Sequence, residues 1–155
     1  MKERMKFSLY RGGLVLLLAC MLVSASALLP DRQGSIELGV LTVFSMAVHE
    51  FAHLAAARSC RVHVEELSLT LAGFVTRREA AASPLQEILI AAAGPLANLY
   101  IAACVFSLGR VGQWLAFYNL VLFLASLLPL PATDGSRILK ALAARRLLSA
   151  SAQRA

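Results

Sequence analysis

Residues 88–108 pass without one charged side chain. A helix needs about 20 apolar residues to cross a hydrocarbon core of ~30 Å, so this run is long enough to span a bilayer. Three more apolar stretches accompany it. The first, 13–29, has no charge. The second, 36–57, is broken only by Glu37 at its edge and by His49, Glu50 and His53 within. The last and fourth in chain order, 114–130, opens on Trp114, Phe117 and Tyr118, as an interfacial aromatic belt would, and ends in prolines. Of the 155 residues 59% are apolar and 15% charged, where a soluble domain carries roughly 25% charged residues. A soluble domain of this size buries only about 70% of its unfolded surface and would leave large apolar patches in water. These features exclude an ordinary soluble domain, a disordered chain and a coiled-coil rod. They predict an all-α polytopic membrane protein with four transmembrane helices, forming one membrane-embedded unit over 1–155 with a basic tail at 137–155.

The net charge is +6. In so apolar a chain this reads as basic loops facing an anionic leaflet, with the lipid bilayer as partner and no nucleic acid. Thirteen of the fifteen Lys and Arg residues fall before the first span, between the second and third, or after the fourth. The other two connections hold only Arg32 and Arg110. The positive-inside rule then puts both termini in the cytosol, for an integral protein of a bacterial cytoplasmic membrane. Residues 1–27 also have the layout of a secretory leader, with Ala25-Ser26-Ala27 as a cleavage site. The long apolar run and the poor mature start at Leu28-Leu29-Pro30 favour a retained span. Cys20, Cys60 and Cys104 share no motif spacing and read as small hydrophobes.

Two segments differ in kind. In 62–76, Val62, Val64, Leu67, Leu69 and Leu71 alternate with other residues, and Gly73 breaks the pattern before Phe74-Val75-Thr76. A pair of short strands and a plain amphipathic loop both satisfy this pattern. Past Arg137, apolar residues among Lys and Arg suit either a helix on the inner membrane surface or a frayed tail.

The chemistry lies in His49-Glu50-Phe51-Ala52-His53. Residues four apart share a helix face, about 5–6 Å between Cβ atoms. Two imidazoles so placed can reach one zinc ion, while Glu50 stays off the metal as a base, the division of labour of metalloproteases. A charged acid at the centre of a span costs roughly 2.5–3.5 kcal/mol. Hydrogen-bonding glue between helices does not call for one. A hydrolytic zinc site needs a third protein ligand. Among the acidic residues Asp134 is the candidate, because it follows an apolar run broken by Pro129 and Pro131, and interrupted backbone at membrane depth is tolerated where it lines a cavity. Gly135 allows a turn beside it. His63 lies past the second span and is a poor candidate. Asp134 precedes Arg137 by only three residues, so it can meet the histidines only if the proline-broken segment holds it inward or Arg137 snorkels to water.

Three blocks together resemble the site-2 proteases, intramembrane zinc metalloproteases, and most closely their bacterial sporulation stage IV branch. They are His49-Glu50-Phe51-Ala52-His53, then Ala93-Gly94-Pro95-Leu96-Ala97-Asn98, then Phe117-Tyr118-Asn119-Leu120 running into Leu127-Leu128-Pro129 and Asp134-Gly135. The resemblance implies one zinc per chain on His49, His53 and Asp134, with Glu50 as catalytic base. It implies a strand pair around Gly73 that helps present an unwound substrate, and a substrate-binding or oxyanion role for Asn98. It also implies a membrane-associated protein substrate, such as a sigma-factor or transcription-factor precursor. Regulatory membrane proteins or a second copy are further candidate partners. The family's last block commonly reads Asn-x-x-Pro, then Pro-Leu-Asp-Gly-Gly. Here Ser126 stands at the Asn position, Ala132 and Thr133 at the Pro and Leu positions, and Ser136 at the second Gly. Ser126 must then substitute for the Asn in holding substrate or the oxyanion. The departures leave two alternatives open: a degenerate metal-binding protein acting as a binding partner, or a small metal transporter.

Overall fold

The computed structural model describes residues 6–9, 32–70, 73–78, 83–131 and 133–152. The expected first span at 13–29 lies outside the described residues, and so does Ala132. In chain order the elements are β1 (Lys6–Leu9), α1 (Arg32–Ser59), β2 (Val64–Thr70), β3 (Gly73–Arg78), α2 (Pro84–Val105), α3 (Gly109–Leu127) and α4 (Asp134–Ala152). Among the described residues, three helical stretches are long and apolar enough to cross a membrane: Gly39–Ser59, Pro84–Val105 and Gly109–Leu127.

The helix ends follow from local chemistry. Ser83 caps α2 by accepting a hydrogen bond from the Gln86 backbone N–H, and the Gln86 side chain accepts one from the Ser83 N–H. Such a cap stabilises a helix by about 1 kcal/mol. Pro84 occupies the first helical position, where no N–H is needed. The Gln86 amide also donates to the Cys60 carbonyl, which ties the start of α2 to the end of α1. α1 closes with paired bonds from Val62 N–H to Ala57 C=O and from Arg61 N–H to Arg58 C=O. Arg61 sits in the left-handed region at φ 60°, the backbone state that such a helix terminus requires and that glycine usually supplies. Gly109, at φ 76°, turns the chain from α2 into α3.

The strands make one sheet in the order β1-β2-β3. β1 pairs parallel with β2, Lys6 opposite Glu66 and Leu9 opposite Leu69. β2 and β3 pair antiparallel, from Val64 opposite Arg78 to Thr70 opposite Gly73, with a register shift between Val64 and Glu66. The β1 pairing has no counterpart in the sequence reading, where residues 2–11 are only a basic start.

Burial runs inside out relative to a soluble protein. Ser45, His53, Asn98, Asn119 and Asp134 are buried, whereas Phe44, Phe51, Leu96, Tyr100, Phe117 and Leu124 are exposed. Polar groups in hydrocarbon must be satisfied within the protein, and apolar ones need no protein cover. Among the described residues an apolar core cluster is formed by Leu54, Ala57, Val62, Val64 and Ile90, with Ala56 and Cys60 packed against it. It joins the end of α1, the start of β2 and the first half of α2, one turn from His53.

Candidate metal centre

His49 and His53 stand one turn apart on α1, and their rings meet edge to face with centroids 4.7 Å apart. Their Nε2 atoms are 3.1 Å from each other. The Asp134 Oδ2 atom lies 3.2 Å from His49 Nε2 and 3.3 Å from His53 Nε2. Ligand atoms about 2.0–2.1 Å from a tetrahedral zinc ion stand about 3.3 Å from one another. The two nitrogens and the oxygen thus have the spacing of one face of such a tetrahedron. One possible ligand atom each from His49, Glu50 and His53 all lie within 4.8 Å of one another.

Asp134 reaches the histidines because α3 ends at Leu127, the chain breaks over Pro129 and Pro131, and α4 begins at Asp134 itself. Thr133 caps that helix. Its hydroxyl accepts from the Ser136 backbone N–H, and the Ser136 hydroxyl donates back to the Thr133 carbonyl. A carboxylate in the first turn is favoured by the helix dipole. Gly135 serves here through space, not through a turn: its backbone is helical, and a Cβ there would fall 2.0 Å from the Leu127 carbonyl oxygen. Only a residue without a Cβ lets the start of α4 back onto the end of α3.

α2 presents Ile90, Gly94 and Asn98 at four-residue steps to this site. The Ile90 carbonyl is 2.7 Å from His53 Nδ1. A carbonyl can only accept, so Nδ1 carries the proton and Nε2 is left with its lone pair facing His49 and Asp134. A Cβ on Gly94 would fall 2.3 Å from His53 Nε2 and 2.7 Å from His49 Nε2. The missing side chain leaves vacant the volume that both nitrogens face. Asn98 is 1% exposed, and its amide nitrogen lies 2.9 Å from His49 Nδ1. The donor set of two nitrogens and one carboxylate oxygen, and the gap kept open at Gly94, fit a zinc ion.

The other residues singled out in the sequence lie apart from this cluster or touch it indirectly. The Ser126 hydroxyl donates to the Phe123 carbonyl of its own helix. Gly73 opens β3 opposite Thr70. His63 is exposed, in the turn before β2. Two contacts were missed at the sequence level. Ser45, one turn before His49, accepts a hydrogen bond from the Asn119 side chain at 3.0 Å, joining α1 to α3. Arg137 donates to Glu87 of α2 and to Asp134. The i, i+4, i+8 spacing of Ser45, His49 and His53 was the available signal for the first.

Residues 38–113 match the model of peptidase family M50. The chain is 36% identical over 121 residues to a candidate zinc metalloprotease, Rip3, in each of two strains of Mycobacterium tuberculosis. That match covers 69% of this chain. The chain spans 31% of the length of these relatives. Its fold is similar to that of a site-2 protease from Methanocaldococcus jannaschii, with a TM-score of 0.70 and 23% identity, covering 94% of this chain and 71% of that one. The chain is thus similar to peptidase family M50 over residues 38–113 and shares the fold of a solved site-2 protease.

Proposed function

We propose that this chain is the membrane-embedded core of a zinc metalloprotease that hydrolyses peptide bonds of membrane-associated proteins, a tethered transcription-factor precursor being one such substrate. His49, His53 and Asp134 would hold the zinc ion, and Glu50 would be the catalytic base. The observation that carries this reading is the triangle of Nε2, Nε2 and Oδ2 atoms at 3.1, 3.2 and 3.3 Å with Glu50 beside it. When bound, zinc supplies Lewis acidity toward water and the scissile carbonyl at neutral pH. Glu50, adjacent to His49 and partly buried, accepts the proton of the attacking water and delivers it to the leaving amine. His53 is oriented for its role by the Ile90 carbonyl. The basic side of the protein, with the β2–β3 hairpin, the start of α2 and α4, faces the cytosol in this reading, with both termini there.

The test compares two kinds of variant, with a membrane-tethered candidate substrate co-expressed and cleavage read on a gel. Glu50→Gln keeps the size and reach of the side chain but cannot take up the proton. It should retain about one zinc per chain while hydrolysis falls by about 10²–10⁴-fold. His49→Ala, His53→Ala and Asp134→Ala should each lose zinc, and His63→Ala should keep it. A Glu50→Gln protein that cleaves at the parent's rate removes Glu50 as the base. If the cellular effect of Glu50→Gln equals that of the parent, a non-hydrolytic binding partner is the better description.

A further inference from the structure

We propose that Asn98 is a positioning residue for His49: its amide oxygen accepts the Nδ1 proton and so fixes the tautomer in which Nε2 faces His53 and Asp134. The inference rests on the reading that these three residues hold zinc.

The argument starts from which nitrogen does what. His49 Nε2 is the atom 3.1 Å from His53 Nε2 and 3.2 Å from Asp134 Oδ2, so Nε2 is the metal-facing donor. A neutral imidazole that offers Nε2 to a metal carries its proton on Nδ1. That proton needs an acceptor, because a buried N–H without one costs about 1–3 kcal/mol. The neighbour of Nδ1 is the Asn98 amide at 2.9 Å. With the amide nitrogen turned toward Nδ1, two donors would confront each other in the metal-bound state, and the Asn98 oxygen is buried with no hydrogen-bond partner. A half-turn of the amide exchanges its oxygen and nitrogen at almost no change of shape. It puts the orphaned acceptor on the Nδ1 proton, leaving the NH2 group at the position the oxygen vacates.

The two histidines are then oriented by the same helix in the same way. His53 Nδ1 donates to a backbone oxygen of α2, at Ile90. His49 Nδ1 donates to a side-chain oxygen of α2, at Asn98, two turns further on. The intervening Gly94 leaves the space into which both Nε2 atoms point. α2 thus provides an acceptor at each end of the pair and a gap between them.

The experiment measures zinc affinity of the detergent-solubilised full chain by competition with a chromophoric chelator, for the parent, Asn98→Asp and Asn98→Leu. Both substitutions preserve the approximate size of the side chain. Asp offers only acceptors, and Leu offers none. Loss of an outer partner of a metal-binding histidine costs about 10–100-fold in affinity. Asn98→Leu should therefore bind zinc about 10–100-fold more weakly, and Asn98→Asp should bind within a few-fold of the parent or more tightly. An Asn98→Leu affinity equal to the parent's overturns the proposal and reduces Asn98 to packing. An Asn98→Asp affinity below that of Asn98→Leu overturns it too, since it makes the amide a donor. If the parent itself binds no zinc, the metal reading fails and takes this inference with it, an outcome distinct from the other two. A second measurement does not depend on any variant folding. In 15N-histidine-labelled, zinc-loaded parent, long-range proton–nitrogen correlations should show His49 protonated at Nδ1. Protonation at Nε2 overturns the proposal.

Discussion

Arg137 on α4 grips Glu87 on α2 with two nitrogens on one oxygen: Nε at 3.1 Å and Nη2 at 3.0 Å from Oε1. Its third nitrogen, Nη1, lies 3.4 Å from Asp134 Oδ1. Asp134 therefore has one oxygen facing the histidines and the other facing a guanidinium that is itself anchored to a different helix. Both long side chains are partly exposed, so the pair contributes little to stability by itself. Its value lies in orientation, since a carboxylate held at Oδ1 presents Oδ2 in one direction.

Arg137→Gln should weaken zinc binding by about tenfold or more, within the range found for partners of metal ligands. Arg137→Lys keeps the charge but not the fork and should fall between Gln and the parent. Chelator competition measures all three. Equal affinities for parent and Arg137→Gln would show that the proline-broken segment alone aims Asp134.

Gly94→Ala is a one-carbon change that favours the helix by propensity, by about 0.8–1.0 kcal/mol in an ordinary position. Here its Cβ would stand 2.3 Å from His53 Nε2, in the space the proposed zinc ion would fill. Zinc content should drop to background while the helical circular-dichroism signal of the protein stays that of the parent. Full zinc occupancy in Gly94→Ala would require α1 and α2 to separate, and would contradict the close approach of Gly94 to His49 and His53.

Ser45→Ala tests the α1–α3 joint separately from the metal. The Ser45 hydroxyl donates to the Leu41 carbonyl at 2.8 Å and accepts from Asn119 at 3.0 Å, with both residues fully buried. Asn119 keeps its bond to the Leu115 carbonyl at 2.9 Å. Interhelical hydrogen bonds in membranes average about 0.6 kcal/mol and reach about 1.7. Unfolding of the metal-free protein in detergent should show a loss in that range, with zinc affinity unchanged. A large fall in zinc affinity would place Ser45 in the orientation of His49.

Orientation in the membrane is tested by reporter fusions. In the proposed topology β2, β3 and the end of α4 belong to one side, because α2 and α3 are joined by a short turn at Gly109 and run back toward it. Fusions after Thr70 and after Ser151 should both report cytosol. A fusion after Thr70 that reports the outside reverses the proposed orientation.

The parts of the site legible in the sequence are those written in short spacing. His49 and His53 share a face by helical period, and a charged acid between them in an apolar run has no bland explanation. Asp134 was reachable through its prolines, although its depth was not, because the pairing of Arg137 with Glu87 joins residues fifty positions apart. Gly135 illustrates the limit from the other side. Its identity was plain, but its reason is a carbonyl on the preceding helix, and close approach between helices leaves no mark in local sequence. The partnership of Asn98 with His49 is hidden for the same reason. β1 was hidden because four residues in a basic stretch carry too little pattern to mark a strand.

The four-residue beat of Ile90, Gly94 and Asn98 divides α2 into two surfaces that tolerate change by different rules. On the outward side, Leu89, Leu96 and Tyr100 meet only hydrocarbon in the proposed membrane setting, so any apolar side chain will serve. On the inward side each step answers to the histidine rings: a carbonyl that must lie within reach, a hydrogen that nothing larger can replace, an oxygen that must accept. Saturating mutagenesis across 84–105 would trace this as a rhythm of permissive and forbidden positions, and the forbidden ones would coincide with the contacts to His49 and His53 more closely than with depth of burial.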